Sequence, residues 1–195
     1  MGSTYTHFAA ATAAVPNRFI TATTMKRGTY GAVANTGTMP TAGARHVTIT
    51  LTRNDAVDSP LGTITIVGTD LRGAALTEVM TPLDNTIATS VGWFRTVMSV
   101  TGGNSWVTAG GADGIVVGCG AEVIAVEGLG KLIGLQVNTT AAGAITLSDA
   151  RGTIAVIPSN VAVGTYYRYD LDFVGNLGVA LAAGSDITVI HSDQR

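Results

Sequence analysis

The sequence has few charged residues. Charged side chains make up 12% of the 195 residues, about half of the ~25% that is usual in soluble domains. The lysines are Lys26 and Lys131, the glutamates are Glu78, Glu122 and Glu127, and the nine arginines are scattered singly. A surface with so little charge favours association. We therefore expect a subunit whose flanks are covered by copies of itself or by partners, rather than a free monomer.

Basic clusters, long apolar runs and disulfides are absent as well. With a net charge of -2 and scattered arginines, the chain offers no electrostatic footprint for nucleic acid. No apolar run approaches the ~18 residues of a membrane span, so we expect neither a nucleic-acid partner nor a membrane partner. Cys119 is the only cysteine, which excludes an internal disulfide and is typical of a chain made in a reducing cytoplasm. We expect it to be a small buried hydrophobe.

The sequence also lacks a recognisable set of catalytic groups. His7, His46 and His191 are far apart, and no spacing presents two imidazoles together. Asp170 and Asp172 lie two apart on a predicted strand and hence on one face, but one such pair makes neither a calcium site nor a glycosidase. We predict no catalytic, metal-ligating or cofactor-binding residues, and we expect that the chain is not an enzyme.

The sequence does contain a regular series of short segments rich in β-branched residues, from His46 to His191. They are separated by turns rich in Gly, Asp and Asn. In the first run Val47, Ile49 and Leu51 alternate with threonines, which is the pattern of a strand with one buried face. The connections are too short for crossover helices, so the strands are expected to pair antiparallel. The pattern predicts an all-β fold, an antiparallel β-sandwich of jelly-roll-like type.

The spacing of the runs predicts two small β-modules. We place a β-sandwich module at residues 45–120, a linker that could form one helical turn at residues 121–130, and a second β-module at residues 131–195. One continuous sandwich is the alternative. Strands are predicted near residues 46–53, 62–69, 75–80, 91–101, 114–119, 132–137, 144–147, 153–157, 166–171, 177–181 and 187–191.

An Asp-x-Arg-Gly motif occurs in each module, at residues 70–73 and 149–152. In both places it follows a predicted strand, where Asp can bind backbone amides and Gly can take a positive φ. The shared motif is compatible with duplication of one module, and equally with the strong compositional bias of the chain.

Residues 1–44 differ from the rest, because they have no helical period and only brief alternation. We expect an extended N-terminal arm with one strand at residues 18–24. A disordered tail is the alternative, but disordered segments are typically charged and poor in apolar residues, whereas this one contains large apolar side chains. Aromatic and Met side chains are enriched in interface cores. The arm residues predicted as interface anchors are Phe8, Phe19, Tyr30 and Met39.

The two tryptophans are further candidates for an interface. In the strand predicted at residues 91–101, one of Trp93 and Phe94 must face inward and the other outward. An exposed tryptophan on a β-sandwich can also stack on a sugar ring. We include Trp93 and Trp106 among the predicted interface residues, and a carbohydrate-binding module is the alternative from another class.

Three segments carry a resemblance to a known class of proteins. Residues 62–70, 76–81 and 93–101 resemble small tailed-phage virion proteins, which carry a G-T-D-x-x-G-x-x-x-T-E segment and a later F-x-T-V-x-S-V-T strand. The closing strands are similar too, and the resemblance covers roughly residues 46–191. It implies a β-sandwich subunit that is present in many copies in a phage particle and works by contact.

Within the virion, a head decoration or cement protein is favoured, because the chain lacks a coiled-coil or fibrous repeat and has an apolar, sparsely charged N-terminal segment. The partners implied are the major capsid protein and copies of the chain itself, as in a homotrimer. Such a chain would be made in the cytoplasm of a host bacterium and would reside in the virion. A tail-tube, neck or fibre protein is the alternative within this class.

Overall fold

A computed structural model describes residues 3–11, 14–24, 28–30, 37–39, 43–52, 62–82, 86–103, 114–140, 142–182 and 184–193. These residues form antiparallel sheets and contain no α-helix, which confirms the predicted all-β, sandwich-like fold. The strands are β1 Thr4–Ala11, β2 Val15–Thr24, β3 Gly28–Thr29, β4 Ala44–Thr52, β5 Ile64–Thr69, β6 Ala75–Met80, β7 Ile87–Phe94, β8 Thr96–Gly102, β9 Gly114–Val126, β10 Gly130–Thr139, β11 Ile145–Asp149, β12 Gly152–Ile157, β13 Tyr166–Phe173, β14 Leu177–Ala180 and β15 Ser185–Asp193.

The chain divides into two compact units, but not in simple sequence order. Unit 1 consists of residues 1–13, 40–43 and 121–195, and unit 2 consists of residues 14–39 and 44–120. The division falls within the long strand β9, so residues 121–126, predicted as part of a linker, instead extend a strand. Val123 to Val126 are all buried there, and a helical turn at this position would take the strand's apolar side chains out of the core.

Unit 2 is an eight-stranded jelly roll. One of its sheets has the order β2-β9-β4-β7 and the other has the order β3-β8-β5-β6. If β2 to β9 are counted from one to eight, the two sheets read 1-8-3-6 and 2-7-4-5, which is the double Greek-key order of a jelly roll. Buried side chains of both sheets form one apolar core, including Ile49, Ile66, Phe94 and Val117.

Unit 1 repeats the same topology. Its sheets have the orders β1-β15-β10-β13 and β9-β14-β11-β12. Counted as β1, β9 and then β10 to β15, these sheets again read 1-8-3-6 and 2-7-4-5. Its core is built at corresponding strands, with Phe8 on the first strand, Leu147 on the fourth, Phe173 on the sixth and Val189 on the eighth. The two units are therefore two copies of one architecture.

The segment predicted as an N-terminal arm supplies the first strands of both units. In the described part of residues 1–44, β1 pairs with β15 and β2 pairs with β9. The expectation of an extended arm with one strand is therefore corrected. A jelly roll needs its first strand to complete the sheet beside the eighth strand, and both units take that strand from this segment.

The two Asp-x-Arg-Gly motifs lie in equivalent hairpins, β5–β6 and β11–β12. In the first, Asp70 Oδ1 accepts hydrogen bonds from the amides of Arg72 and Ala74 at 2.9 and 2.8 Å. In the second, Asp149 Oδ1 accepts one from the amide of Arg151 at 2.8 Å. The motif glycines have φ of +84° and +121°. The predicted role of Asp and Gly in these turns is confirmed.

Asp149 accepts more hydrogen bonds than Asp70, and its side chain is fully buried. It also accepts hydrogen bonds from the Val174 amide at 3.0 Å and from the guanidinium of Arg151, at 2.9 Å from Nε and 2.6 Å from Nη2. The Arg151 side chain, above all, holds the pKa of Asp149 below its usual value, and the two backbone amides add to this. Asp149 thus ties the β11–β12 hairpin to the segment that follows β13.

We expect Asp149→Ala to lower the free energy of unfolding by about 2–3 kcal/mol, because two amides lose a buried acceptor, whereas the matched Asp70→Ala in an exposed turn costs about 1 kcal/mol or less. Urea unfolding of both variants measures the difference. Since the folded pKa of Asp149 is lowered, its contribution is complete above the usual carboxyl pKa and is lost as the pH falls through the lowered value. Equal losses for the two variants would contradict this role.

Candidate interaction surface

The four predicted arm anchors lie inside the chain rather than on its surface. Phe8 is buried in the core of unit 1, and Phe19, Tyr30 and Met39 are buried in the core of unit 2. The prediction that they anchor a partner is therefore corrected. Their large apolar side chains fill the interior of the jelly rolls, to which their own segment contributes strands.

Trp93, one of the two tryptophans predicted at an interface, is not buried in the core as the arm residues are. Trp93 is partly exposed on β7 and stacks on the imidazole of His46, with ring centroids 3.6 Å apart and a 37° angle between the planes. Phe94 is the inward-facing member of the pair and is fully buried. Trp106 lies outside the described residues.

One outer sheet face of unit 2 carries no charge. We call it the threonine face, and it consists of the outward residues of β3, β8, β5 and β6 that pair across the strands. Met98, which is 68% exposed, lies beside it where the register between β5 and β8 shifts. In register across the strands, the residues of the face are Thr29, Thr101, Thr65 and Val79 in one row, Ser99, Val67 and Thr77 in the next, and Thr96, Thr69 and Ala75 in the third. All ten are partly or fully exposed. Cross-strand hydroxyls meet on it, as between Thr69 Oγ1 and Thr96 Oγ1 at 2.7 Å.

The strands β6 and β7 are edge strands, one in each sheet of unit 2. Their most exposed apolar side chains are Val79 at 61%, Ile87 at 62% and Val91 at 85%. Natural proteins usually protect edge strands with charge, proline or a covering segment. Within these two strands, Glu78 is the single charged residue and there is no proline, so their own side chains give little protection against pairing with another chain.

Val91 is exposed because β7 is bulged at this point. The register passes from the pair His46–Trp93 directly to the pair Thr48–Thr89, so three residues of β7 lie opposite one residue of β4. A bulge of this kind bends a strand and redirects its side chains. Here it turns Val91 outward.

The bulge is held by side-chain hydrogen bonds. The Glu78 carboxylate accepts from the amides of Val91 at 2.7 Å and Gly92 at 2.8 Å. Ser90 Oγ accepts from the Val47 amide at 2.9 Å and donates to the Gly92 carbonyl at 2.8 Å. The Glu78 carboxylate is therefore bound to the β7 backbone. These hydrogen bonds hold the backbone of the bulge in one conformation, and Val91 is exposed from it.

A buried arginine lies beside the only cysteine. The Arg45 side chain is fully buried, and its Nη1 donates to the Gly120 carbonyl at 3.0 Å. Burial raises the pKa of the Cys119 thiol and lowers the pKa of the Arg45 guanidinium, and each group partly offsets the effect on the other. A buried thiol with a raised pKa is unreactive. The prediction of Cys119 as a buried residue is confirmed, and its arginine neighbour was not predicted.

In the described ranges, no group of three or more His, Cys, Asp or Glu side chains is arranged to hold a metal ion. Asp170, one of the paired acids, forms an ion pair with Lys131 Nζ at 2.9 Å. In the same part of the chain, no helix is long and apolar enough to cross a membrane.

Comparison with known proteins identifies no relative. No protein-family model matches the chain, and neither a curated protein nor a solved structure matches it.

Proposed function

We propose that the chain is a structural component of a tailed-bacteriophage virion, a capsid decoration or cement protein that stabilises the head through subunit contacts. The observation that carries the proposal is a sparsely charged surface of unit 2. It is made of the threonine face, which carries no charge, and the exposed edges of β6 and β7, whose single charged residue is Glu78. The resemblance of residues 46–191 to small virion proteins gives the class of particle.

This surface has the properties of one that is covered in an assembly. Threonine hydroxyls that bond to each other across strands lose little when water is removed, and the exposed valines and isoleucine gain from burial. Stable subunit contacts bury about 2,000 Å² or more in total. A protein that binds only the assembled lattice stabilises that state by mass action.

The proposed partners are the major capsid protein and copies of the chain. Each chain contributes two jelly rolls of the same topology, so a homotrimer contains six. That number suits positions in a capsid lattice where three or six subunits meet. Sedimentation of the purified chain tests this step, and a strict monomer that does not bind heads would refute the proposal.

We expect Val79→Glu and Val91→Glu to weaken attachment to heads by about ten-fold or more, because each places a charge in the buried contact. Val156→Glu is the matched control, since Val156 is an exposed valine on β12, the strand of unit 1 that corresponds to β6. Co-sedimentation of each variant with particles of the source phage measures attachment. Surface substitutions of this kind should leave the urea midpoint nearly unchanged.

Electron microscopy of gold-labelled particles separates the proposal from its rivals. Label over the head supports decoration. Label confined to the tail would replace decoration with a tail-tube, neck or fibre role. Wild-type attachment by both Val79→Glu and Val91→Glu would show that the contact surface lies elsewhere.

A further inference from the structure

The outer face of the β1-β15-β10-β13 sheet in unit 1 carries two exposed aromatic rings. Tyr5 on β1 is 66% exposed and Tyr166 on β13 is 48% exposed. The Tyr166 ring lies over the backbone of Gly134 on β10, in the space that a side chain at that position would occupy. Ile190 of β15 pairs with Gly134 on one side and with Tyr5 on the other. The rings thus lie along one row that crosses the sheet.

A polar network occupies the neighbouring rows of this face. Asn138 Nδ2 donates to Asp186 Oδ1 at 2.9 Å and to Thr188 Oγ1 at 3.0 Å. His7 Nε2 lies 2.7 Å from the same Asp186 oxygen. Gln136, exposed on β10, pairs with Thr188 across the strands. These contacts fix the orientation of the amide, carboxylate and imidazole groups before any ligand arrives.

The combination matches the chemistry of a pyranose sugar. A pyranose ring has an apolar face of C–H groups, which packs on an aromatic ring, and a rim of hydroxyls that both donate and accept hydrogen bonds. Groups that are already oriented lose less conformational entropy on binding. Adjacent strands are ~4.8 Å apart, so a row across the four strands spans about 14 Å, which suits a short oligosaccharide.

Other classes of ligand fit this face less well. A nucleic acid requires clustered cations, whereas the four strands of this sheet carry Lys131, which is paired with Asp170, and the single exposed arginine Arg168. A protein partner requires a large contiguous apolar centre, whereas the apolar part of this face is one narrow row, Tyr5, Ile190 and the Tyr166 ring, and the neighbouring rows are polar. Trp93, the other aromatic candidate, already has His46 stacked on its ring.

We propose that the outer face of the β1-β15-β10-β13 sheet binds a chain of neutral pyranose sugars, which stacks on Tyr5 and Tyr166 and forms hydrogen bonds with Gln136 and the network around Asp186. This site lies on unit 1 and is independent of the contact surface proposed on unit 2. A virion protein with such a site would attach to glycans at the bacterial surface while it remains part of the particle.

Isothermal titration with cellohexaose, xylohexaose, mannohexaose, maltohexaose and chitohexaose tests the site. We expect at least one of these hexasaccharides to bind, and we expect Tyr5→Ala and Tyr166→Ala each to weaken its binding by about ten-fold through loss of a stacking surface. Tyr5→Phe and Tyr166→Phe keep the rings and should bind within about three-fold of wild type. Gln136→Ala should weaken binding without removing a ring.

Met98→Ala and Trp93→Ala are the controls, since both alter exposed or partly exposed side chains of unit 2. Neither should change binding. Failure of all five hexasaccharides to bind at millimolar concentration overturns the proposal, as does binding that survives both tyrosine-to-alanine changes. The tyrosine variants should attach to phage heads like wild type, so the glycan site and the capsid contact can fail separately.

Discussion

Replacing Phe8 by alanine is expected to lower the free energy of unfolding of unit 1 by about 3–5 kcal/mol, the cost of removing a buried phenylalanine from a packed core. Phe8 lies on the first strand of unit 1 and is fully buried. Phe19→Ala is the matched variant, because Phe19 lies on the first strand of unit 2 and is buried to the same extent. Hydrogen exchange with mass spectrometry, carried out across a urea series, reads the two units separately.

Each variant is expected to accelerate hydrogen exchange in its own unit and not in the other. Phe8→Ala should accelerate exchange in β10 to β15, and Phe19→Ala should accelerate it in β4 to β8. If instead Phe8→Ala left the stability of unit 1 intact and reduced only attachment to heads, Phe8 would be an anchor for a partner, and the assignment of β1 to the core would be wrong.

Removing β1 is expected to have a still larger effect. A chain without residues 3–11 loses Phe8, the backbone pairing with β15, and the contact of Thr6 Oγ1 with the buried His191 at 3.0 Å. The sum is comparable with the ~5–15 kcal/mol by which a domain is usually stable. We expect unit 1 to lose its protection from hydrogen exchange while unit 2 keeps its own.

A peptide of residues 1–13 added in trans provides the complementary measurement. It should restore protection in β15 and β10, because it supplies the missing strand. The same peptide with Phe8→Ala should restore it at about 100-fold higher concentration or not at all. Full protection of unit 1 without any peptide would contradict the topology assigned to β1.

Most strands of residues 46–191 could be predicted because their local pattern and their final environment agree. An exception is the strand predicted at residues 91–101, which is instead the end of β7 and most of β8, in different sheets. The prediction of β6 at residues 75–80 matches its bounds, and β12 was placed within one residue at its start. Period-two alternation between turn residues marks a strand wherever one sheet face is buried and the other exposed. This condition holds along most of both units.

Strands β1 and β3 were not predicted, and β9 was predicted over residues 114–119 but not over the rest of its length. In β1, Thr and Ala surround Phe8, so no alternating apolar series is visible. In β9, Gly118 and Gly120 read as turn signals near Cys119, although the strand continues to Val126. Gly118 is needed there because the backbone of Val15 and Pro16 in β2 lies where its Cβ would be. That requirement comes from a strand about 100 residues away in the sequence, and no local pattern reveals it.

The surface proposed for subunit contacts could be predicted only in part. The low charge of the chain indicated covered surfaces, but aromatic side chains were assigned to the interface when they belonged to the core. Whether an apolar residue faces inward depends on the strand beside it, which the sequence does not display. Val91 is an example, because its exposure depends on the bulge that Glu78 and Ser90 hold in place. The sequence feature that could have indicated this exposed edge is the absence of charged residues from β7.

The insertion of unit 2 between the first two strands of unit 1 has a consequence for biosynthesis. All of unit 2 has been translated once residue 120 is made, whereas β1, which precedes unit 2 in the chain, must wait for β15, which follows it. At ~5–20 residues per second, translation of residues 121–195 takes about 4–15 s. During this time the nascent chain carries an unpaired strand with Phe8 uncovered. A chain that terminates before β15 would keep that strand exposed, so closure of unit 1 requires translation through β15.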